Sequence, residues 1–163
     1  MGEHTPGLRD LSCAVKASHF VCLGHGLGIQ AARAETKKPI GIVLNFTPGR
    51  LANKSDSNIS ALEQYEAITN TWYLSAITKG EYPAAALRNL EAFLPHNWQG
   101  DMNTIKDPID FIGINYYTTL MLEAGGQDFP FVKPVDRNLP KTDMGWEIAV
   151  SYTHLRAHET AQY

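Results

Sequence analysis

Two apolar runs in this chain both give way to polar residues. Residues 39–44 lead to Asn45, and residues 109–114 lead to a polar cluster that starts at Asn115. Continuous apolar runs with β-branched residues predict strands that are buried on both faces. In α/β enzymes a ligand crevice opens where the carboxyl ends of such strands turn polar. An ordinary core strand that runs into a polar loop would give the same pattern, and Asn45 could simply start the turn that follows it.

Helical periodicity predicts a long helix over residues 11–34, with Asp10 as its N-cap. Its core-facing stripe is predicted at Leu11, Val15, Ser18, Cys22, His25, Ile29 and Ala32. A second edge of small residues would allow the helix to lie close to a sheet. That edge consists of Ala14, Ala17, Val21, Gly24 and Gly28.

Two further helices are predicted between the apolar runs. The first begins at Asp56 or Ser57 and ends before Gly80, which is a suitable C-terminal residue. The second covers residues 84–94 and starts after a proline. Residues 95–106 are predicted as a loop, or as a short helix and a loop.

Alternating strands and helices predict an α/β fold that is built from parallel β/α units. Residues 123–141 are rich in Gly, Pro and Asp and are expected to be irregular. Two strands do not complete a barrel or a doubly wound sheet, because parallel strands need neighbours and cover on both faces. The chain is therefore expected to be a slice of a larger fold, with exposed strand edges and low stability.

The composition of the chain argues against nucleic-acid binding and against a membrane-spanning segment. The 163 residues include 14 basic and 17 acidic side chains, for a net charge of -3, so no basic surface for nucleic acid is expected. The longest apolar runs fall far short of the roughly 18 residues that a membrane span needs.

Cys13 and Cys22 would lie about 13 Å apart along the predicted helix and could not form a disulfide. Reduced cysteines and a cytoplasmic location are the simplest inference.

Six stretches of the chain resemble segments of glycoside hydrolase family 1, the retaining β-glucosidase-like enzymes, in the same order. They are residues 2–7 (GEHTPG), 19–26 (HFVCLGHG), 41–48 (GIVLNFTP), 72–83 (WYLSAITKGEYP), 110–118 (DFIGINYYT) and 142–148 (TDMGWEI). The resemblance implies a partial (β/α)8 TIM barrel, from roughly the fourth helix through the sixth strand. Residues 1–148 would form this barrel fragment, and residues 149–163 resemble nothing in the family and are expected to be an unrelated tail.

The same resemblance implies four sugar-binding residues. Asn45 would line the sugar pocket at the end of the fifth strand, with Asn115 nearby. Tyr117 would donate its phenol proton to the catalytic nucleophile. Trp146 would offer an aromatic face to the leaving group, since sugar C–H faces stack on indole. His25, Trp72 and Tyr116 are expected to be packing residues.

Neither catalytic motif of the family occurs in the sequence. Retaining glycosidases need two carboxyl groups, which this family places in Asn-Glu-Pro and Glu-Asn-Gly motifs. The glutamates that are present do not match either motif; they include Glu35, Glu63, Glu66, Glu81 and Glu147. No catalytic residue, cofactor or metal is therefore expected. His154 and His158 are spaced i, i+4, but the pattern is reversed from a zinc-binding His-Glu-x-x-His motif.

The favoured interpretation is a fragment of a retaining β-glycosidase that acts on small-molecule β-glycosides and is inactive alone. A non-catalytic carbohydrate-binding remnant is the first alternative. The second is a different α/β-barrel hydrolase or a small α/β binding domain with fortuitous motif matches. Sugar specificity and oligomeric state are left open.

Overall fold

The computed structural model describes residues 7–127 and 129–148. The chain forms two compact units, which are described separately. The helical unit comprises Met1–Ile42 and Thr71–Gly113, and the sheet unit comprises Val43–Asn70 and Ile114–Tyr163. The expected unrelated tail, with His154 and His158, lies outside the described residues, as do residues 2–6.

Five α-helices and five strands follow one another in the described residues. In chain order they are α1 (Leu11–Glu35), β1 (Gly41–Phe46), β2 (Gly49–Leu51), α2 (Asp56–Thr69), α3 (Thr71–Lys79), α4 (Ala84–Leu90), a 3-10 turn (Glu91–Phe93), α5 (Trp98–Ile105), β3 (Phe111–Tyr116), β4 (Leu120–Ala124) and β5 (Val132–Pro134). None of these helices has both the length and the apolar character that crossing a bilayer requires.

Helix α1 begins as predicted, because the Asp10 side chain accepts a hydrogen bond from the Cys13 amide at 2.8 Å. The predicted stripe is right at Val15, Cys22 and Ile29, which are buried. It misses two other buried residues of α1, His19 and Gly26.

The predicted small-residue edge of α1 is wrong. A Cβ at Gly24 or Gly28 would meet nothing within 4 Å, whereas a Cβ at Gly26 would lie 1.9 Å from the Thr104 carbonyl oxygen. The close approach is therefore made by Gly26, and its neighbour is helix α5 rather than a sheet.

A buried polar and aromatic cluster fills the core of the helical unit. His19 is fully buried, with Nδ1 at 3.0 Å from the Tyr82 hydroxyl and Nε2 at 3.0 Å from Asp101 Oδ2. Trp72 stacks on Tyr82 with ring centroids 3.8 Å apart, and Trp98 is tilted against Tyr82 at 5.5 Å. Trp72 is thus a packing residue, as expected.

The two cysteines of α1 differ in environment. Both are free, as predicted, but Cys13 is exposed and Cys22 is buried. Burial raises the pKa of the Cys22 thiol to about 11, against a smaller lowering effect of a hydrogen bond with Tyr82.

In the sheet unit, helix α2 packs on a three-stranded sheet with the order β2-β4-β5. Strands β2 and β4 are parallel, and β4 and β5 are antiparallel. None of these short strands was predicted, and β4 and β5 occupy part of the region that was expected to be irregular. Strands of three to five residues offer too few positions for an alternation to be recognised.

Strands β1 and β3, which are neighbours in a two-stranded sheet, confirm the two predicted strands. Their predicted burial on both faces is wrong, since Val43 is 57% exposed and Ile114 is 67% exposed. Among the described residues each strand has only the other as its partner in this sheet, so these side chains are not covered.

The helix that was predicted to run up to Gly80 is divided in two. Ser55, not Asp56 or Ser57, is the N-cap, and its side chain accepts a hydrogen bond from the Asn58 amide at 3.3 Å. Asn70 ends α2, and its side chain bonds a loop rather than continuing the helical surface. The helix predicted over residues 84–94 likewise tightens into the 3-10 turn after Leu90.

Candidate functional site

The structure joins the two asparagines at the carboxyl ends of β1 and β3. Asn115 Nδ2 donates a hydrogen bond to Asn45 Oδ1 at 2.9 Å. Each asparagine is the penultimate residue of its strand, so it lies within the strand rather than after it as the apolar runs suggested. One donor and one acceptor of the pair are used in this bond, which leaves amide groups on both residues for a ligand.

A polar network from α2 fixes the loop that follows Asn45. Asn70 Oδ1 accepts a bond from the Thr47 amide at 2.8 Å, and the Tyr65 hydroxyl donates to the Thr47 carbonyl at 2.8 Å. Glu66 Oε1 accepts from the Gly49 amide at 2.6 Å, and Glu66 Oε2 accepts from Asn70 Nδ2 at 2.6 Å. These bonds satisfy loop groups that would otherwise be half-buried without partners.

The second pair of predicted site residues is aromatic. Tyr117 and Trp146 are in contact, with ring centroids 5.5 Å apart and an interplanar angle of 43°. They are 50% and 42% exposed, respectively, so each ring retains accessible surface. Aromatic surface of this kind suits the apolar face of a sugar ring.

Trp146 lies in a short hairpin, residues 140–148, called here the Trp146 hairpin. The Thr142 amide donates to the Trp146 carbonyl at 2.8 Å, and the Ile148 amide donates to the Pro140 carbonyl at 3.0 Å. Gly145 adopts a φ of 78°, which glycine accepts without strain and which lets the chain reverse before Trp146.

Two interactions hold the hairpin in the sheet unit. Arg137 donates from Nε and Nη2 to Glu147 Oε2, with both side chains largely buried. The Thr118 hydroxyl donates to the Glu147 carbonyl at 2.9 Å, which ties the hairpin to the segment after β3. The hydrogen bonds from Arg137 lower the pKa of the Glu147 carboxyl, so Glu147 is an ionised structural partner rather than a proton donor.

The supporting residues of this site were not predicted from the sequence; they are Asn70, Glu66, Arg137 and Thr118. One local signal was available, because Thr142-Asp143-Met144-Gly145 has the composition of a tight turn. That signal predicts a hairpin that would present Trp146. No group of three or more His, Cys, Asp or Glu side chains that could hold a metal exists within residues 7–127 and 129–148.

Comparison with known proteins decides the family. A family model described as glycosyl hydrolase family 1 matches residues 1–157. The chain belongs to glycosyl hydrolase family 1. The sequence resemblance to this family is confirmed, and the alternative of fortuitous motif matches is wrong. The matched range includes residues 149–157, which were expected to belong to an unrelated tail.

Relatives and solved structures agree with this family. The chain is 36% identical over 149 residues to a 1,4-beta-D-glucan glucohydrolase of Thermotoga neapolitana, which covers 90% of this chain and 35% of that protein. A family 1 β-glucosidase structure from Thermotoga maritima superposes with a TM-score of 0.85 at 33% identity, covering 97% of this chain and 36% of that chain. The Thermotoga maritima β-glucosidase solved in complex with deoxynojirimycin has a TM-score of 0.84 at 35% identity and covers 91% and 34%.

The chain thus spans about a third of the length of the relatives it matches. Its α/β fold corresponds to part of TIM-barrel β-glucosidases.

Proposed function

We propose that this chain forms the sugar-binding wall of a β-glucosidase-type active site, which hydrolyses small-molecule β-glycosides with retention. The observation that supports this most is the pairing of the predicted site residues within one unit. Asn45 and Asn115 share a hydrogen bond, and Tyr117 and Trp146 share a ring contact. The resemblance alone suggested these residues, without requiring that they meet in two pairs.

Each pair has a distinct role in this proposal. The amide groups that Asn45 and Asn115 do not use on each other bond the hydroxyls of the glucosyl unit. Trp146 stacks on the leaving group. Tyr117 donates its phenol proton to a carboxylate nucleophile. These roles make Asn45, Asn115 and Trp146 substrate-binding residues, and Tyr117 a residue that orients the nucleophile.

The proposal includes the expectation that the 163-residue chain is inactive alone. Retaining hydrolysis needs two carboxyl groups about 5–5.5 Å apart. The Asn-Glu-Pro and Glu-Asn-Gly motifs that supply them in this family do not occur in the 163 residues. Of the glutamates in the sheet unit, Glu66 and Glu147 are committed to structural bonds. The reaction itself would use no metal or cofactor.

In the barrel of the relatives, the chain would correspond to roughly the fourth helix through the sixth strand. The order of α1, β1, the α2–α3 region and β3 supports this placement. The free cysteines favour a cytoplasmic location.

The test has two arms. Purified chain is assayed with an aryl β-glucoside, and no hydrolysis is expected. In the second arm, residues 1–157 replace the matching third of the Thermotoga maritima β-glucosidase, and hydrolysis is expected because the host supplies both carboxyl groups. Tyr117→Phe in the chimera is expected to lower kcat, since the nucleophile loses a hydrogen bond. Hydrolysis by the chain alone, or a folded chimera without activity, would contradict the proposal.

A second candidate function is carbohydrate binding without catalysis. The accessible rings of Tyr117 and Trp146 favour it, because they could bind a sugar in the chain as it is. Binding of methyl β-glucoside by a chain whose chimera is inactive would favour this candidate over the first.

A further inference from the structure

Asn70, the residue that ends helix α2, is buried, and its side-chain amide is bonded on both sides to one loop residue. Oδ1 accepts a hydrogen bond from the Thr47 amide at 2.8 Å, and Nδ2 donates to the Thr47 carbonyl at 3.2 Å. Thr47 follows Asn45 by two residues, directly after the end of β1. Asn70 therefore fixes the peptide groups on either side of Thr47, and with them the direction in which the chain leaves β1.

Glu66 determines which end of the Asn70 amide faces the Thr47 amide. Glu66 Oε2 accepts from Asn70 Nδ2 at 2.6 Å, and Glu66 Oε1 accepts from the Gly49 amide at 2.6 Å. A carboxylate only accepts hydrogen bonds, so the NH2 group of Asn70 must point toward Glu66 and its oxygen toward the Thr47 amide. Both N–H groups of Asn70 are used in these bonds, one to Glu66 and one to the Thr47 carbonyl. Asn70 is thus a support of the loop and keeps no N–H group for a ligand.

Asn45 is in a part of the strand that needs such support. It is exposed and is the penultimate residue of β1, and in the part of the chain that the structure describes β1 pairs with β3 alone. Exposed strand ends with few neighbours open at a low free-energy cost. The side chain of Asn45 is held by Asn115, and the backbone that follows it is held by Asn70 through Thr47. A contact residue that is already ordered raises affinity, because the ligand does not have to order it.

We propose that Asn70 is a positioning residue for the sugar contact at Asn45. It does not touch the sugar. It acts through Thr47 and keeps Asn45 in the orientation in which its side chain bonds both Asn115 and a sugar hydroxyl. The proposal rests on the proposed function, since it takes Asn45 to bind the glucosyl unit. It adds a residue outside the contact set on which affinity depends.

The experiment is a titration of the full 163-residue chain with methyl β-glucoside, followed by NMR through the side-chain amide signals of Asn115. Asn70→Ala removes both bonds to Thr47. This variant is expected to bind the sugar about fivefold more weakly, because the sugar must then order the end of β1.

The matched control is Asn58→Ala, at the other end of α2. Asn58 is also a buried asparagine, and its side chain bonds Asn53 and the Ala124 amide, not the loop after β1. Both variants remove hydrogen bonds of a buried asparagine and should lose similar stability in urea unfolding. Asn58→Ala should nevertheless keep its affinity for the sugar within about 1.5-fold. An equal loss of affinity in both variants would overturn the proposal.

A second measurement separates positioning from a general effect on the fold. If Asn70 acts through Asn45, its substitution has little to disturb once the Asn45 side chain is gone. In a chain that carries Asn45→Ala, adding Asn70→Ala should therefore change affinity by less than about 1.5-fold. A further fivefold loss in that background would mean that Asn70 does not act through Asn45.

Glu66→Gln keeps the proposal testable should Asn70→Ala not fold, because it preserves the shape of the side chain. Its amide has a single acceptor oxygen and cannot accept from both Asn70 and the Gly49 amide. Affinity for the sugar is expected to fall about twofold, and an unchanged affinity would overturn the proposal.

The remaining outcomes separate this proposal from the proposed function. If the unmodified chain binds methyl β-glucoside and Asn70→Ala binds it equally well, the positioning proposal fails while the sugar site stands. If the unmodified chain does not bind the sugar, both proposals fail.

Discussion

The helical unit and the sheet unit use polar and aromatic side chains in opposite ways. In the helical unit, His19, Tyr82 and Trp72 are buried, and both ring nitrogens of His19 have partners. In the sheet unit, Tyr117 and Trp146 remain about half exposed. The Asn45–Asn115 pair keeps amide donors and acceptors that the bond between the two side chains does not use. A buried histidine with both ring nitrogens bonded stabilises a fold, whereas an accessible cluster with unused hydrogen-bonding groups is available to a ligand.

This contrast separates residues of the same type. Of the tryptophans in the chain, Trp72 is buried in the helical unit, whereas Trp146 lies in a hairpin and is partly exposed. Substitutions in the first cluster should therefore reduce stability. Substitutions in the second should reduce binding and leave stability almost unchanged.

The largest loss of stability is expected for Gly26→Ala in the helical unit. The new Cβ would lie 1.9 Å from the Thr104 carbonyl oxygen and 3.0 Å from the Ile105 Cα, and these backbone atoms cannot move aside singly. A loss of about 3 kcal/mol or more is expected in urea unfolding. Gly24→Ala is the matched control, since a Cβ there meets nothing within 4 Å. It should stabilise α1 by about 0.5–1 kcal/mol, and similar losses in both variants would refute the close approach of α1 and α5.

Cys22 should be strongly protected from a thiol reagent at pH 8, whereas Cys13 reacts. Burial raises the pKa of Cys22 from its usual 9.0 to about 11, which leaves about a hundredth of the ordinary thiolate. Because the folded pKa is the higher one, the stability linked to this thiol is complete below pH 9. It is lost as the pH rises toward 11. Mass spectrometry after timed alkylation gives both rates, and equal labelling of the two cysteines would contradict the burial of Cys22.

His19→Phe should cost about 2 kcal/mol in the free energy of unfolding. The substitution leaves the Tyr82 hydroxyl and Asp101 without a bond that they make to the buried ring. His96→Phe, at an exposed position, is the control and should change stability by less than about 0.5 kcal/mol. If both variants unfold at the same urea concentration, the cluster does not stabilise the helical unit.

Trp146→Ala should have the smallest effect on stability, at most about 1 kcal/mol, because it removes one ring contact from an exposed side chain. Affinity for an aryl β-glucoside should nevertheless fall about tenfold, because the leaving group loses the indole on which it stacks. Met144→Ala changes a more exposed residue of the same hairpin that is not a sugar-binding residue of the proposed site, and it should leave affinity unchanged. A large loss of stability in Trp146→Ala would mean that Trp146 stabilises the fold, as the residues of the buried cluster do.

Sequence patterns predicted the local secondary structure of this fold better than its tertiary contacts. The Asp10 cap, α1 and the strands β1 and β3 follow from local periodicity and capping, which the sequence displays directly. The division at Asn70 could not be predicted in this way, because it depends on a bond to Thr47, 23 residues away along the chain. The uncovered faces of Val43 and Ile114 were missed for a related reason, since an apolar run shows which residues could be buried and not whether a neighbour covers them.

In the candidate site, too, individual residues could be predicted from the sequence but their contacts could not. Asn45, Asn115, Tyr117 and Trp146 were found through the family resemblance, and their pairing was not visible in the sequence. The Arg137–Glu147 ion pair and the Thr118 bond, which hold the Trp146 hairpin, link residues that share no local pattern. Tertiary contacts of this kind place a side chain without leaving a periodic signal.

The proposed sugar site is tested most directly by the response of individual asparagine side chains to methyl β-glucoside in the 163-residue chain. NMR follows the side-chain amide signals of Asn45 and Asn115, with the exposed Asn89 of the helical unit as an internal control. If Asn45 and Asn115 bind the sugar, their two signals shift together and saturate at the same sugar concentration, while the Asn89 signal does not move. Shifts of equal size at all three residues, or none at Asn45 and Asn115, would contradict the proposed sugar site.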